Sequence, residues 1–184
     1  MSLNNLFSLE GRIALVTGGS RGIGKIIAKA FIEQGAKVYI SSRKAAACEE
    51  TAAELGPNCI PLPQDVSTVA GCKALAEALA AREERLDILV NNAGAAWGTP
   101  FEDFPESGWD KVMDLNVKSP FFLTQALHGM LKREASHDRP SKVINITSID
   151  GLRLNPWETY SYHASKSALI YLTKRMAARL VKDG

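Results

Sequence analysis

Cysteine, histidine and long apolar runs are all scarce in this 184-residue chain, and each scarcity excludes something. The three cysteines, Cys48, Cys59 and Cys72, are an odd set without Cys-x-x-Cys spacing, which argues against a disulfide framework and a zinc site. His128, His137 and His163 are scattered without metal-ligand spacing, so no metal is expected. Free thiols suit a reducing compartment. Met1 to Glu10 shows no basic region followed by an apolar run, and no stretch approaches the ~20 apolar residues that a membrane span needs. The expectation is a cytoplasmic protein without signal peptide or membrane partner.

Charge of one sign is lacking too. Lys+Arg 22 against Asp+Glu 20 leaves a net charge of +2, which gives no electrostatic footprint for nucleic acid or an anionic membrane. The mixed-sign run Arg82-Glu83-Glu84-Arg85 reads as a solvated helix end. No low-complexity tract or interdomain linker interrupts the chain. With 46% apolar and 23% charged residues, it has the balance of one globular domain with a real core.

What is present is an alternation of short apolar runs and amphipathic stretches. Strands are expected at 13–17, 37–41, 59–62, 86–90 and 142–147. Helices are expected at 23–34, 45–55, 69–82 and 106–132, with a last one carrying Tyr162 and Lys166 toward Val181. Near-continuous apolar strands between helices imply a parallel sheet covered on both faces, an α/β doubly wound fold of Rossmann type.

The first strand runs into Thr17-Gly18-Gly19-Ser20-Arg21-Gly22-Ile23-Gly24 and then a helix. Gly18, Gly22 and Gly24 permit a tight turn, a close backbone approach to a pyrophosphate and close helix–strand packing. The helix N-terminus beyond them offers free N–H groups to phosphates. An acidic residue at the end of the second strand would hold an NAD ribose. The chain has Ser41-Ser42-Arg43-Lys44 there instead. Arg43 with Arg21 could clamp a 2′-phosphate through paired donors, which favours NADP(H); the other reading of Arg43 is a solvated arginine. Asp65 could accept from an adenine amino group or cap a helix. In Asn91-Asn92-Ala93-Gly94, small residues allow close approach to a cofactor, and the asparagines can tie strand ends together.

Tyr162 and Lys166 are four residues apart, on one helical face, and Ser148 lies fourteen positions before the tyrosine. A lysine cation one turn away favours a phenolate and makes tyrosine a workable general acid–base. The serine hydroxyl could hold a carbonyl oxygen at the same point. Tyr160 has Ala164 at i+4 and no cation, so it packs or lines a pocket, while His163 points round the helix and reads as structural.

Thr17-Gly18-x-x-x-Gly22-x-Gly24, Asn91-Asn92-Ala93-Gly94, Ser148 and Tyr162-x-x-x-Lys166, in this order, resemble the short-chain dehydrogenase/reductase family. With Trp97-Gly98 and Ser107-Gly108-Trp109, the run looks most like its β-ketoacyl reductase type. The resemblance implies Tyr162 as proton donor in reduction, with Lys166 supporting it and bonding the nicotinamide ribose. Ser148 would orient the substrate carbonyl, and Asn116 would hold a water in a proton relay. Trp109, Val112, Met113, Val117 and Pro120 form an apolar stripe in which Asn116 falls, so its amide must find partners; neighbouring backbone is the other way to satisfy it. Cofactor contacts are implied at Gly18, Ser20, Arg21, Gly22, Ile23, Gly24, Ser42, Arg43, Asp65, Val66, Asn92, Ala93 and Gly94, besides Tyr162 and Lys166. The family also implies a small carbonyl or alcohol substrate and a homodimer or homotetramer.

The chain ends at Lys182-Asp183-Gly184, where the family continues with two further strands and a substrate-covering loop. The domain is therefore expected to be incomplete at its C-terminus, with the fifth strand as an exposed sheet edge. An NADPH-dependent ketone reductase, with 3-oxoacyl compounds among its candidate substrates, is the leading expectation. A non-catalytic NADP(H)-binding sensor or scaffold and an inactive truncated reductase are the alternatives. Trp97, Ile149, Leu152, Leu154 and Trp157 either line an apolar substrate pocket or pack loops.

Overall fold

The computed structural model describes residues 6–184. Five parallel strands form one sheet in the order β3-β2-β1-β4-β5, with β1 Ile13–Thr17, β2 Lys37–Ser41, β3 Cys59–Pro61, β4 Ile88–Asn91 and β5 Lys142–Asn145. Helices α1 (Gly22–Glu33), α2 (Ala45–Leu55), α3 (Val69–Ala80), α4 (Glu106–Met113), α5 (Ser119–Lys132) and α6 (Tyr160–Leu180) connect and cover them. No helix is long and apolar enough to cross a membrane among the described residues.

Alternation along the strands sends side chains to two cores. Leu15, Tyr39 and Leu89 pack with Leu75 and Leu79 of α3 and Leu123 and Leu127 of α5. Val16, Val38, Ile40 and Val90 face the other way, onto Ala28 of α1 and Ala52 of α2. Because β1, β2 and β4 are covered on both faces, they can be almost wholly apolar, whereas β5 at the sheet edge leaves Ile144 39% exposed.

Two expectations need correction. The helix at 106–132 is not uniform: a π turn, Asp114–Lys118, separates α4 from α5. Pro120 supplies the reason, since it has no N–H for the Asn116 carbonyl four residues earlier and its ring would strike that carbonyl in a regular α-helix. Along the apolar stripe burial varies, from Val112 at 0% exposed to Trp109 at 42%.

The run at 82–85 is not merely a solvated helix end. Glu83 accepts from the buried Tyr39 hydroxyl at 2.6 Å and pairs with Lys37. Burial pulls the Glu83 carboxyl upward, but bonds from Lys37 and Tyr39 outweigh it and leave its pKa below the ordinary value. Arg85 reaches Asp87 at 3.2 Å and Glu134 at 2.9 Å. Asp87 also takes Arg12 at 3.0 Å, Arg139 at 3.4 Å and the Ile13 amide at 2.9 Å. This network closes the N-terminal ends of β1 and β4.

Candidate active site

The candidate residues gather at the opposite, C-terminal ends of the strands, where a parallel sheet presents its ligand crevice. Gly18 and Gly22 have φ of +65° and +54°, which only glycine adopts freely. A Cβ on Gly24 would lie 2.4 Å from the Gly18 carbonyl oxygen and 2.5 Å from Asn92 Nδ2, so α1 can approach the first strand only with glycine there. A Cβ on Gly22 would meet nothing within 4 Å, which leaves the loop open on that side. Ser20 is half-buried, and Arg21, Gly22 and Ile23 are exposed around it.

Strand ends are tied by short polar side chains. Thr17 Oγ1 accepts from the Asn92 and Ala93 amides, each at 3.1 Å, and donates to the Val90 carbonyl. Asn92 Nδ2 donates to the Thr17 carbonyl at 2.9 Å, and Asn91 Nδ2 reaches Asn145 Oδ1 at 2.8 Å. The asparagine pair thus couples β4 to β1 on one side and to β5 on the other.

Arg43 is exposed beyond β2, as Arg21 is beyond β1, and neither joins an ion pair among the described residues. Ser42 Oγ lies 3.1 Å from Cys48 Sγ. Asp65 is exposed and accepts from the Ser67 amide at 3.0 Å, while the cap of α3 falls to Thr68, which accepts from Gly71 N at 3.0 Å. Val66 is 5% exposed and belongs to the core beneath.

Lys166 is 5% exposed, with Nζ 5.6 Å from the Tyr162 ring centroid and 2.8 Å from the Ile146 carbonyl. Burial lowers its pKa from the ordinary lysine value. An ammonium has three donors, and the Ile146 bond leaves capacity for a ligand. Ser148 Oγ accepts from the Asp150 amide at 3.2 Å, which leaves its own proton free to donate. Tyr162 is half-buried.

Asn116 is 1% exposed, and its amide is fully engaged. Oδ1 accepts from Ala95 N at 2.8 Å, and Nδ2 donates to Ala95 O at 2.9 Å and to Ser165 Oγ at 3.0 Å. Ser165 in turn donates to the Tyr162 carbonyl at 2.8 Å. A Cβ on Gly94 would lie 3.3 Å from Asn116 Oδ1 and 3.8 Å from Lys166 Nζ, which shows how closely loop 92–95 approaches both.

Glycine loop, asparagine turn, serine, tyrosine and lysine therefore share one end of one sheet. A family model described as short chain dehydrogenase matches residues 12–184. The chain belongs to the short-chain dehydrogenase family. It is 50% identical over 179 residues to the rhamnolipids biosynthesis 3-oxoacyl-(acyl-carrier-protein) reductase of Pseudomonas aeruginosa, covering 96% of this chain and 70% of that protein. It is 36% identical to the galactitol 2-dehydrogenase of Agrobacterium fabrum, over 96% of this chain and 67% of that one. A solved structure of the Pseudomonas aeruginosa RhlG/NADP active-site complex superposes with a TM-score of 0.94 at 50% identity, over 96% of this chain and 70% of that chain. The β-ketoacyl reductase likeness of the sequence agrees with the first and third of these.

The remaining candidates of this short-chain dehydrogenase divide by exposure. Tyr160 bonds Glu158 at 2.7 Å and stacks edge-on against Phe101 and Phe104. His163 Nδ1 lies 2.9 Å from the Thr159 carbonyl oxygen. Trp97 packs: its Nε1 donates to Thr99 Oγ1 at 3.0 Å, and a Cβ on Gly108 would press into its ring at 2.8 Å. Ile149, Leu152, Leu154 and Trp157 are 57%, 72%, 95% and 73% exposed on the segment joining Ser148 to Tyr162. Thr51 and Ser165 carry no signal in the sequence, because an isolated hydroxyl residue forms no pattern. No group of three or more His, Cys, Asp or Glu side chains among the described residues is placed to hold a metal.

Proposed function

We propose that this chain is an NADPH-dependent reductase of an apolar ketone, with a 3-oxoacyl thioester as the favoured substrate class. The observation that carries the reading is Lys166: a cation buried to 5% exposure beside Tyr162, with no carboxylate partner among the described residues. A fold does not bury a lone ammonium for stability, so its use is chemical.

The residues fit an NADP(H) molecule. Gly22 leaves the loop open for the pyrophosphate, while Gly18 and Gly24 permit the turn and close helix packing behind it. Arg21 and Arg43, unpaired among the described residues, suit a 2′-phosphate, with Ser20 and Ser42 beside them. Asp65, Ile23 and the main chain of Val66 would border the adenine, and Asn92, Ala93 and Gly94 the ribose and nicotinamide. When bound, NADPH supplies the hydride. Lys166 would bond the nicotinamide ribose with donors that Ile146 leaves free. Ser148 donates to the carbonyl oxygen, and Tyr162 gives that oxygen its proton. Lys166 stabilises the phenolate left behind. The Asn116 side chain has both amide hydrogens committed, so a relay water would sit on its main-chain carbonyl, which Pro120 deprives of the usual helical donor.

Four exposed apolar side chains between Ser148 and Tyr162 favour an acyl or other hydrophobic ketone over a polyol. The 3-oxoacyl reductase from Pseudomonas aeruginosa supports the same direction. Buried free thiols fit the cytoplasm. We assign a homo-oligomer to the chain, with Phe121 of α5 and Met176 and Leu180 of α6, which line an open apolar groove, at the subunit contact.

The test combines NADPH and NADH titration with turnover on a 3-oxoacyl thioester. Tyr162→Phe is expected to bind NADPH as the parent does and to lose turnover. Unchanged turnover in Tyr162→Phe would remove the assigned proton donor, and equal affinity for the two cofactors would remove the 2′-phosphate site.

A further inference from the structure

Helix α2 grips both segments from which Arg21 and Arg43, unpaired among the described residues, project. Thr51 Oγ1 donates to the Ser20 carbonyl at 2.9 Å, and Cys48 Sγ lies 3.1 Å from Ser42 Oγ, either group being able to donate. Ser20 immediately precedes Arg21, and Ser42 immediately precedes Arg43. Cys48 and Thr51 are three residues apart, neighbours on one helix face, and 0% and 4% exposed. A Lys25–Glu54 pair at 2.5 Å adds a tie from α1 to α2, but it is largely exposed and holds the frame weakly.

We propose that Cys48 and Thr51 form a brace that sets the discrimination between NADPH and NADH, a role that rests on Arg21 and Arg43 taking the 2′-phosphate. Both are positioning residues, acting through the backbone and side chain at the root of each arginine. A guanidinium clamp needs two planar groups to converge on one phosphate, and each is a long side chain with many rotamers. Fixing the roots holds the two points from which the guanidiniums must converge, so the phosphate has only the side-chain rotamers left to order, which is partial preorganisation. NADH lacks the 2′-phosphate and is indifferent to where the guanidiniums start. A loosened brace must therefore appear as lost selectivity. If Thr51 merely held the glycine loop in shape, both cofactors would suffer alike, because both place a pyrophosphate on that loop.

The experiment is a fluorescence titration of NADPH and NADH with the parent, Thr51→Val, Thr51→Ser, Cys48→Ala and Cys48→Ser, with Arg43→Gln as the control. Thr51→Val and Cys48→Ala are each expected to weaken NADPH about three- to tenfold, the range of one lost neutral hydrogen bond. NADH binding should change by less than about twofold, since Thr51 holds Ser20 only by its main-chain carbonyl and Cys48 meets Ser42 outside the glycine loop. Thr51→Ser and Cys48→Ser retain a hydrogen-bonding group and should restore the NADPH preference. Cys48→Ala is a small change in a helix and keeps the test informative if Thr51→Val folds poorly. Equal weakening of both cofactors, or an unchanged ratio in both deletion variants, overturns the brace. A parent without NADPH preference, or an Arg43→Gln variant that keeps it in full, overturns the 2′-phosphate reading and the brace with it. A preference that Arg43→Gln removes and the α2 variants leave intact overturns the brace alone.

Discussion

Asn116 Nδ2 and Ser165 Oγ are joined at 3.0 Å, and that bond links the π turn between α4 and α5 to the helix that carries Tyr162 and Lys166. Because Asn116 also holds Ala95 through both its N–H and its carbonyl, the loop after β4 and the helix α6 are held against a common amide. Ser165 passes the connection to the Tyr162 carbonyl. The tyrosine is thus tied to loop 92–95 by a chain of hydrogen bonds whose central link, Asn116 to Ser165, is buried.

Ser165→Ala breaks that chain and leaves a buried Asn116 donor unsatisfied, at a cost of about 1–3 kcal/mol. Misplacement of Tyr162 should lower kcat about tenfold. NADPH affinity should hold within about twofold, since Ser165 is not among the proposed cofactor contacts. Steady-state kinetics beside a cofactor titration reads both quantities.

Lys166→Met removes a desolvated cation while keeping most of the side-chain volume. Turnover should be lost, while thermal unfolding should occur at the same or a higher temperature. The pH dependence follows from the lowered pKa. Between the folded and unfolded pKa values the unfolded chain binds more protons, so this group makes stability rise with pH there. The variant should lack that alkaline gain, as melting curves from neutral pH to about pH 10.5 would record.

Gly24→Ala places a methyl against the Gly18 carbonyl and the Asn92 side-chain amide, which bond each other at 3.3 Å. The helix must retreat from β1. Overpacking of this kind costs about 1–3 kcal/mol, and affinity for NADPH and NADH should fall together. Calorimetry on both cofactors separates this outcome from the selective loss expected of the α2 variants.

Asp87→Asn discharges a buried carboxylate that three guanidiniums face. Burial pulls the Asp87 carboxyl upward, but the Ile13 amide, Arg12 and Arg85 outweigh it and hold its pKa below the ordinary value. Its contribution is complete above the ordinary carboxylate range and is lost as pH falls through the lower folded value. The substitution should cost about 3 kcal/mol at neutral pH and flatten the acid limb below about pH 4. Urea unfolding at pH 7 and pH 3 provides the comparison.

The alternation of strands and helices was legible because glycines and apolar runs punctuate it at every step, and Gly35 and Gly56 follow the first two helices closely. The chemistry was legible as residue types at fixed spacing. The supports were not. Thr51 and Ser165 are single hydroxyl residues inside helices, and their partners lie 31 and 49 residues away. The charges at 82–85 looked solvated because their main partners, Lys37, Tyr39 and Glu134, are distant in sequence. The π turn left one local clue, Pro120, which helix periodicity alone passes over.

The ion network at one end of the sheet and the reacting groups at the other share no side chain. Drift in the loops that choose a substrate can therefore proceed without drawing on the bonds that anchor β1 and β4. The two ends of one small sheet thus divide the labour, one anchoring the strands and the other presenting loops to a ligand.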